Sequence, residues 1–335
     1  MRRTIGKRLA VLTLTGALLT PMVSGCSFPA KIIWTTSIGD STVCRVGDES
    51  VSLSEAKLFL LNYRNMYANT YGKAIWKIGK GDRSLEAHTK ETTLSVLAKM
   101  KTMVLLAKEQ KVTLTAKEES LVKKAAEVYY KSLSDADKDA LEVSEEDVAK
   151  VYADMALATK LYTGLTGGVN EEVSDDDARV MVVKQIVVNE EKVANTVAKK
   201  LEKGAGFDSL ASYYSTESTE EITLYRQKMS NQMYLALMGL SDGDVSDCVS
   251  ENGKYYFVKI ITKIDRELTN QNKEVILKQR AKDAFDNVYQ NFCKEKNSDV
   301  NEKVWDDVTF QEDTECTTSQ FFTVFEKYLG YLKRE

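Results

Sequence analysis

The hydrophobic period of this chain changes twice. From Ser52 to about residue 166, apolar residues recur every three or four positions, the period of helices that bury one face. Between residues 179 and 262 the pattern turns extended, with RVMVVKQIVV at one end and NGKYYFVKIIT at the other. From Glu274 the helical period returns. No single type of element satisfies both periods, so the sequence predicts an α+β protein in which a mainly helical region is interrupted by a mixed unit. Proline, which would break long helices, occurs only at Pro21 and Pro29, ahead of all of this.

Local signals divide the helical part. A short strand at 43–46 and a turn at Gly47-Asp48 precede Ser52, which forms a capping box with Glu55 and opens a helix carrying Leu53, Ala56, Leu60 and Tyr63. A second amphipathic helix covers 93–112. Thr115 with Glu118 starts a third, Ser134 caps a short one, and Ser144 with Asp147 starts a helix carrying Val148, Val151, Met155 and Ala158. The mixed unit reads as a strand, a helix over 190–203, a glycine break at 204–206 and a short helix holding Phe207, Leu210 and Ala211. A turn at 241–244, a short strand near 245–248, an Asn252-Gly253 hairpin turn and a strand over 254–262 follow. The helix from 274, with Phe285, Val288 and Phe292, is expected to pack back on the first helices. Trp305, Val308 and Phe310 suggest a small strand, and the aromatic-rich end a weak helix.

The N-terminus points to export. Arg2, Arg3, Lys7 and Arg8 form a basic head, and an apolar run follows to about residue 22. That run is too short for a secure membrane span and suits a secretory signal peptide. It ends in Val23-Ser24-Gly25-Cys26, which resembles the lipobox of bacterial lipoproteins. The resemblance implies a cut before Cys26, lipidation of Cys26, and a chain anchored in the lipid bilayer on the extracytoplasmic face of a bacterial cell membrane. The expected organisation is a signal peptide at 1–25, a lipidated tether at 26–42, a helical domain at 43–177, a mixed domain at 178–264 and a helical segment at 265–335. Losing the four basic residues of the leader, with no acid among them, moves the formal charge from −4 to −8, which argues against nucleic acid as a partner. Cys44, Cys248, Cys293 and Cys316 show no disulfide framework and no CxxC or metal-ligand spacing. No phosphate-cradling glycine motif occurs, so no cofactor and no metal is expected.

Two frames in the mixed unit carry a second resemblance. Gly204, Phe207, Leu210, Ala211, Tyr214 and Ser215 form the first; Leu240, Gly243, Val245 and Ser246 form the second. With KQIVV before them and NGKYYFVKI after them, residues 180–261 resemble a parvulin-type peptidyl-prolyl isomerase domain. VGDESVSLSEAKLFL and the helices after it resemble the chaperone region of secreted bacterial foldases of the PrsA and SurA kind, so the likeness runs from residue 43 to about 295. The family implies a foldase or chaperone whose partners are unfolded or partly folded exported polypeptides.

The family presents a histidine on the first strand of this domain and another on the last. Gln185 and Tyr256 stand at those places, and the single histidine, His88, lies outside the unit. Gln185 and Tyr256 are the candidate catalytic replacements. Met229, Met233, Leu237, Met238 and Phe257 are the candidate substrate-binding walls, with Phe257 expected on the face opposite Tyr256. Turning a prolyl bond must lower a barrier of about 18–20 kcal/mol without breaking a covalent bond, so shape and aimed hydrogen bonds suffice in principle. An amide and a phenol supply such bonds but do not titrate near neutral pH as histidines do. Three readings of Gln185 stay open: a core amide, part of a weak isomerase, or the polar spot of a peptide-binding pocket. For the whole chain three functions stay open: a foldase or chaperone with weak or absent isomerase activity, an active isomerase, or a structural or assembly lipoprotein.

Overall fold

The computed structural model describes residues 31–36, 38–310 and 315–333; Cys26 and the expected signal peptide lie outside them. The chain has an α+β fold in two units, one within 1–168 and 282–335 and the other within 169–281. The first begins with strands β1 (Lys31–Thr35), β2 (Thr42–Val46) and β3 (Glu49–Ser52). Helices α1 (Leu53–Tyr71), α2 (Leu85–Glu109), α3 (Ala116–Lys131), α4 (Asp135–Leu141) and α5 (Glu145–Thr166) follow. The second unit carries β4 (Val180–Val188), α6 (Glu191–Glu202), α7 (Phe207–Tyr214), β5 (Ile222–Tyr225), α8 (Asn231–Met238), β6 (Val249–Glu251) and β7 (Lys254–Thr262). Helix α9 (Arg266–Cys293) begins among the residues of the second unit and ends among those of the first, where β8 (Asn297–Asn301), α10 (Glu302–Asp306) and α11 (Phe321–Leu329) complete the chain.

Helix starts follow the local caps. Thr115, Ser134 and Ser144 each accept a hydrogen bond from the backbone N–H three residues on, and Glu118, Asp137 and Asp147 bond back to the cap N–H, so all three boxes close. At Ser52 only half forms. Its Oγ accepts from Glu55 N at 3.1 Å, but the Glu55 carboxylate turns inward. It lies 3.0 Å from Lys101 Nζ, whose other partner is Asp154 at 2.6 Å. Lys101 and Glu55 are both buried. Burial pushes the Glu55 carboxyl up to about 7 despite the attraction of Lys101. Burial pulls the Lys101 ammonium down, but Glu55 and Asp154 together outweigh it and leave its pKa raised.

The first unit's sheet has the order β1-β8-β2-β3, with β1 parallel to β8 and the other neighbours antiparallel. Residues 27–42 read as a tether, yet Lys31–Thr35 within them is a strand paired to one near the C-terminus. Its sequence, KIIWT, is rich in β-branched and aromatic residues, which suit a pleated surface. The small strand expected around Trp305 is instead α10, whose start is capped by Asn301 Oδ1 accepting from Val304 N. The strand falls just before it in NSDVN, where pairing on both sides outweighs weak intrinsic propensity.

The C-terminal aromatics are core. Phe321 stacks on Tyr152 with ring centroids 4.7 Å apart and packs edgewise on Tyr129 at 5.3 Å. Tyr152 donates its hydroxyl to Phe321 O at 2.7 Å, and Asn62 Oδ1 accepts from Phe321 N at 3.2 Å. Residues 315–320, leading to α11, pair in no strand ladder, and side chains bond to their backbone. Arg64 donates to Cys316 O, Asn65 donates to Thr318 O, and Asp137 Oδ1 accepts from Thr317 N and Thr318 N.

The second unit's sheet is antiparallel throughout, in the order β5-β4-β7-β6. Helices α6 and α7 cover one face with Ala194, Val197, Phe207, Leu210 and Ala211. Helix α8 covers the other with Met233 and Leu237. Thr269 and Asn272, at the start of α9, are tied to β4 and its approach: Val180 N donates to Thr269 Oγ1, and Asn272 donates to Ala178 O.

Candidate functional site

Two central strands position the sequence-predicted pair. Asn252 and Gly253 have φ of 50° and 74°, the left-handed conformation that a two-residue hairpin turn of matching twist requires. The turn sets Glu251 opposite Lys254 and Val249 opposite Tyr256. On its other edge β7 pairs with β4, with Val187 opposite Tyr256 and Gln185 opposite Val258. Residues directly opposite share a face, so Gln185 and Tyr256 share one as diagonal neighbours, roughly 7–8 Å apart at such a register. This is the α8 face, where Met181, Val183, Val249, Val258 and Ile260 are buried.

Gln185 and Tyr256 are both half-buried. They do not bond each other, and among the described residues neither side chain has a hydrogen-bond partner. The amide is therefore not a satisfied core group. It stays open to solvent beside an apolar sheet face, with its donors and acceptor not engaged by any described residue.

The five candidate walls do not line one pocket. Met233 and Leu237 point into the core of the Gln185 face, and Met229 packs half-buried against it. Met238 is half-exposed on α8, beside the more exposed Leu235. Phe257 is buried on the opposite face with Ile186, Val188, Phe207 and Leu210 and cannot join the others. Strand alternation already separated Phe257 from Tyr256, but splitting the methionines required the rotational phase of α8. That phase is set by Ser230, which caps the helix by accepting from Met233 N and donates to Glu251 on β6.

The residues of the two resemblance frames hold the scaffold together. Ser215 Oγ accepts from Val187 N, and Thr216 N donates to Val187 O at 2.8 Å, closing that part of the β4 edge. Ser246 is buried; its Oγ accepts from Val258 N and its own N–H donates to Val258 O. Gly243, at φ 91°, turns the chain so that its N–H reaches Ile260 O. On the far face Lys184 stands opposite Lys259, a like-charge pair that Asp208 offsets by accepting from Lys184 at 3.0 Å. The hydrogen bond to Lys184, and then its charge, hold the Asp208 carboxyl below the ordinary carboxylate range.

The chemistry available on the Gln185 face is hydrogen bonding and apolar contact. Among the described residues no group of three or more metal-ligating side chains gathers. His88 is exposed on α2, in the first unit, so it assists no nucleophile here. Cys44, Cys293 and Cys316 are buried and Cys248 is exposed; among the described residues none of the four forms a disulfide.

No protein-family model matches the chain, and no curated protein matches it. Among solved structures it is similar to a peptidylprolyl isomerase (PrsA) from Bacillus cereus, at 18% identity and a TM-score of 0.37, over 90% of this chain and 100% of that one. It is similar to the foldase protein PrsA from Streptococcus pneumoniae, at 19% identity and a TM-score of 0.30, over 75% of this chain and 98% of that one. A SurA-like chaperone from Campylobacter jejuni is similar at 12% identity and a TM-score of 0.31, over 78% of this chain and 99% of that one.

Proposed function

We propose that this chain is a membrane-anchored extracytoplasmic foldase or chaperone that binds unfolded exported polypeptides, with weak or absent prolyl isomerase activity. The carrying observation is the half-buried, unbonded Gln185 beside Tyr256 on an apolar face, at the two places where the resembling family carries histidines. An extended peptide laid on that face would find a neutral donor and acceptor for its backbone. Met229 and the exposed Leu235 and Met238 of α8 offer adaptable apolar contact. Binding of this kind draws on apolar area and tolerates rearranged polar contacts. Catalysis does not: misplacing hydrogen bonds by about an ångström can cost on the order of 10²-fold in rate.

In this reading residues 178–264 are the parvulin-like unit, inserted between helical segments at 43–177 and 265–335, and Cys26 carries the lipid that holds the chain at the membrane. Two acyl attachments hold durably where a single chain holds marginally.

The test uses the soluble form, residues 27–335, in two assays side by side. A protease-free assay on an alanine-proline peptide measures isomerisation, and light scattering of a diluted denatured protein measures aggregation. We expect suppressed aggregation with a rate near the uncatalysed one. A rate equal to that of a histidine-bearing parvulin would overturn the weak-isomerase reading. In that event Gln185→Leu and Tyr256→Phe should each lower it. Unsuppressed aggregation would overturn the chaperone reading.

A further inference from the structure

A cavity of about 320 Å³ lies in the first unit, far in sequence from the parvulin-like strands. Its size is at the small end of the roughly 300–1,000 Å³ usual for ligand sites. Polar groups make up most of its accessible lining, and the apolar part comes from the half-buried Leu53 and Val304, with Leu61 and Val308 buried behind them. Its rim is acidic, with Asp40, Asp139, Glu142 and Asp307 all exposed. The four acids come from three stretches of chain: Asp40 from the loop before β2, Asp139 and Glu142 from α4 and the residue after it, and Asp307 from the residue after α10.

Among the described residues Lys57 is the one lining cation, and its ammonium is 3.0 Å from Glu142 Oε1. Asp40 and Asp139 have no ion-pair partner among the described residues. Asp307 feels Lys90, whose ammonium is itself bonded to Trp305 O at 3.0 Å. The rim therefore carries more negative charge than the one lining cation can balance.

We propose that this cavity binds basic side chains of extended polypeptides, taking a lysine or arginine with its aliphatic stem against the leucines and valines and its charged head among the rim carboxylates. Such side chains are themselves apolar along the stem and charged at the tip, so a wall and rim of this kind complement both parts. A neutral apolar side chain would use the wall alone, and an acidic one would meet like charge. The proposal rests on the reading that the chain binds unfolded polypeptides, and adds which segments it selects.

The experiment uses the full chain in mild detergent and three fluorescently labelled octapeptides read by anisotropy. The parent is Ala-Leu-Lys-Leu-Ala-Lys-Leu-Ala; the others replace both lysines with norleucine or with glutamate. Wild type should bind the lysine peptide most tightly and the glutamate peptide least. Asp139→Asn with Asp307→Asn, both at exposed positions, should weaken the lysine peptide about threefold to tenfold and leave the norleucine peptide unchanged. Added salt at about 1 M, where screening reaches about 3 Å, should shrink the lysine advantage. An unchanged melting temperature of the double variant confirms its fold. Equal binding of the lysine peptide by wild type and the double variant would overturn the cavity assignment, as would equal binding of lysine and norleucine peptides. If aggregation of a denatured protein is still suppressed in either case, the polypeptide-binding reading stands while the cavity assignment falls. Failure to suppress aggregation together with failure to bind any peptide overturns both.

Discussion

Replacing Glu55 by glutamine should make this protein more stable at neutral pH, although Glu55 is ion-paired. Its carboxylate is 6% exposed, 3.0 Å from a Lys101 that it shares with Asp154. Burial raises its carboxyl from the ordinary 4.5 to about 7, so desolvation outweighs the attraction. Between those two values the folded state holds a proton that the unfolded state has released. Stability therefore falls as pH rises through the window. The gap corresponds to roughly 3 kcal/mol at 1.36 kcal/mol per unit. Lys101 stays charged across this range and so cancels from the comparison. Glutamine has nearly the same shape as the protonated acid and no proton to lose. The stability of the variant relative to wild type should accordingly rise by up to roughly 3 kcal/mol between pH 4.5 and 7.5. Urea unfolding followed by circular dichroism at several pH values measures this, provided the slopes agree. A difference that stays flat across the window would refute a raised Glu55. A difference of opposite sign would mean that Lys101 wins and holds the carboxylate ionised.

Phe321→Ala should cost about 3–5 kcal/mol in the same urea assay, because it empties the centre of a ring cluster formed with Phe59, Tyr129 and Tyr152. Lys111→Gly should stabilise by about 1 kcal/mol: Lys111 is exposed at φ 57° just past α2, where a side chain costs about 1–2 kcal/mol in backbone strain, partly offset by the greater entropy that glycine loses on folding. In native protein at pH 8, a maleimide should label Cys248 ahead of Cys44. Cys44 is buried, and burial together with the nearby Glu55 pushes its thiol up to about 12; peptide mapping that finds Cys44 labelled first would contradict this placement.

Features that depend on a few neighbouring residues were legible in the sequence. The boxes at Thr115, Ser134 and Ser144 close through bonds three residues apart, and Asn252-Gly253 sets its turn through two φ angles. The alternation of β7 then sufficed to set Phe257 apart from Tyr256, whereas Gln185 shares a face with Tyr256 through the register between β4 and β7, which in the sequence only the resemblance implied. Glu55 broke the local rule because a buried ammonium on another helix competed for its carboxylate. The remaining features needed the whole chain. Strand β1 has the composition of a strand but became one by pairing with β8, and the aromatics of α11 became core through contacts such as Phe321 to Asn62 across 259 residues. Four acids from three separate segments met around one cavity for the same reason. Caps and turns are decided by hydrogen bonds and torsions within one turn of chain, so their signal is local. Distant partners meet only after the loop-closure entropy of the intervening chain has been overcome by packing, and nothing in the local pattern records which partner is waiting.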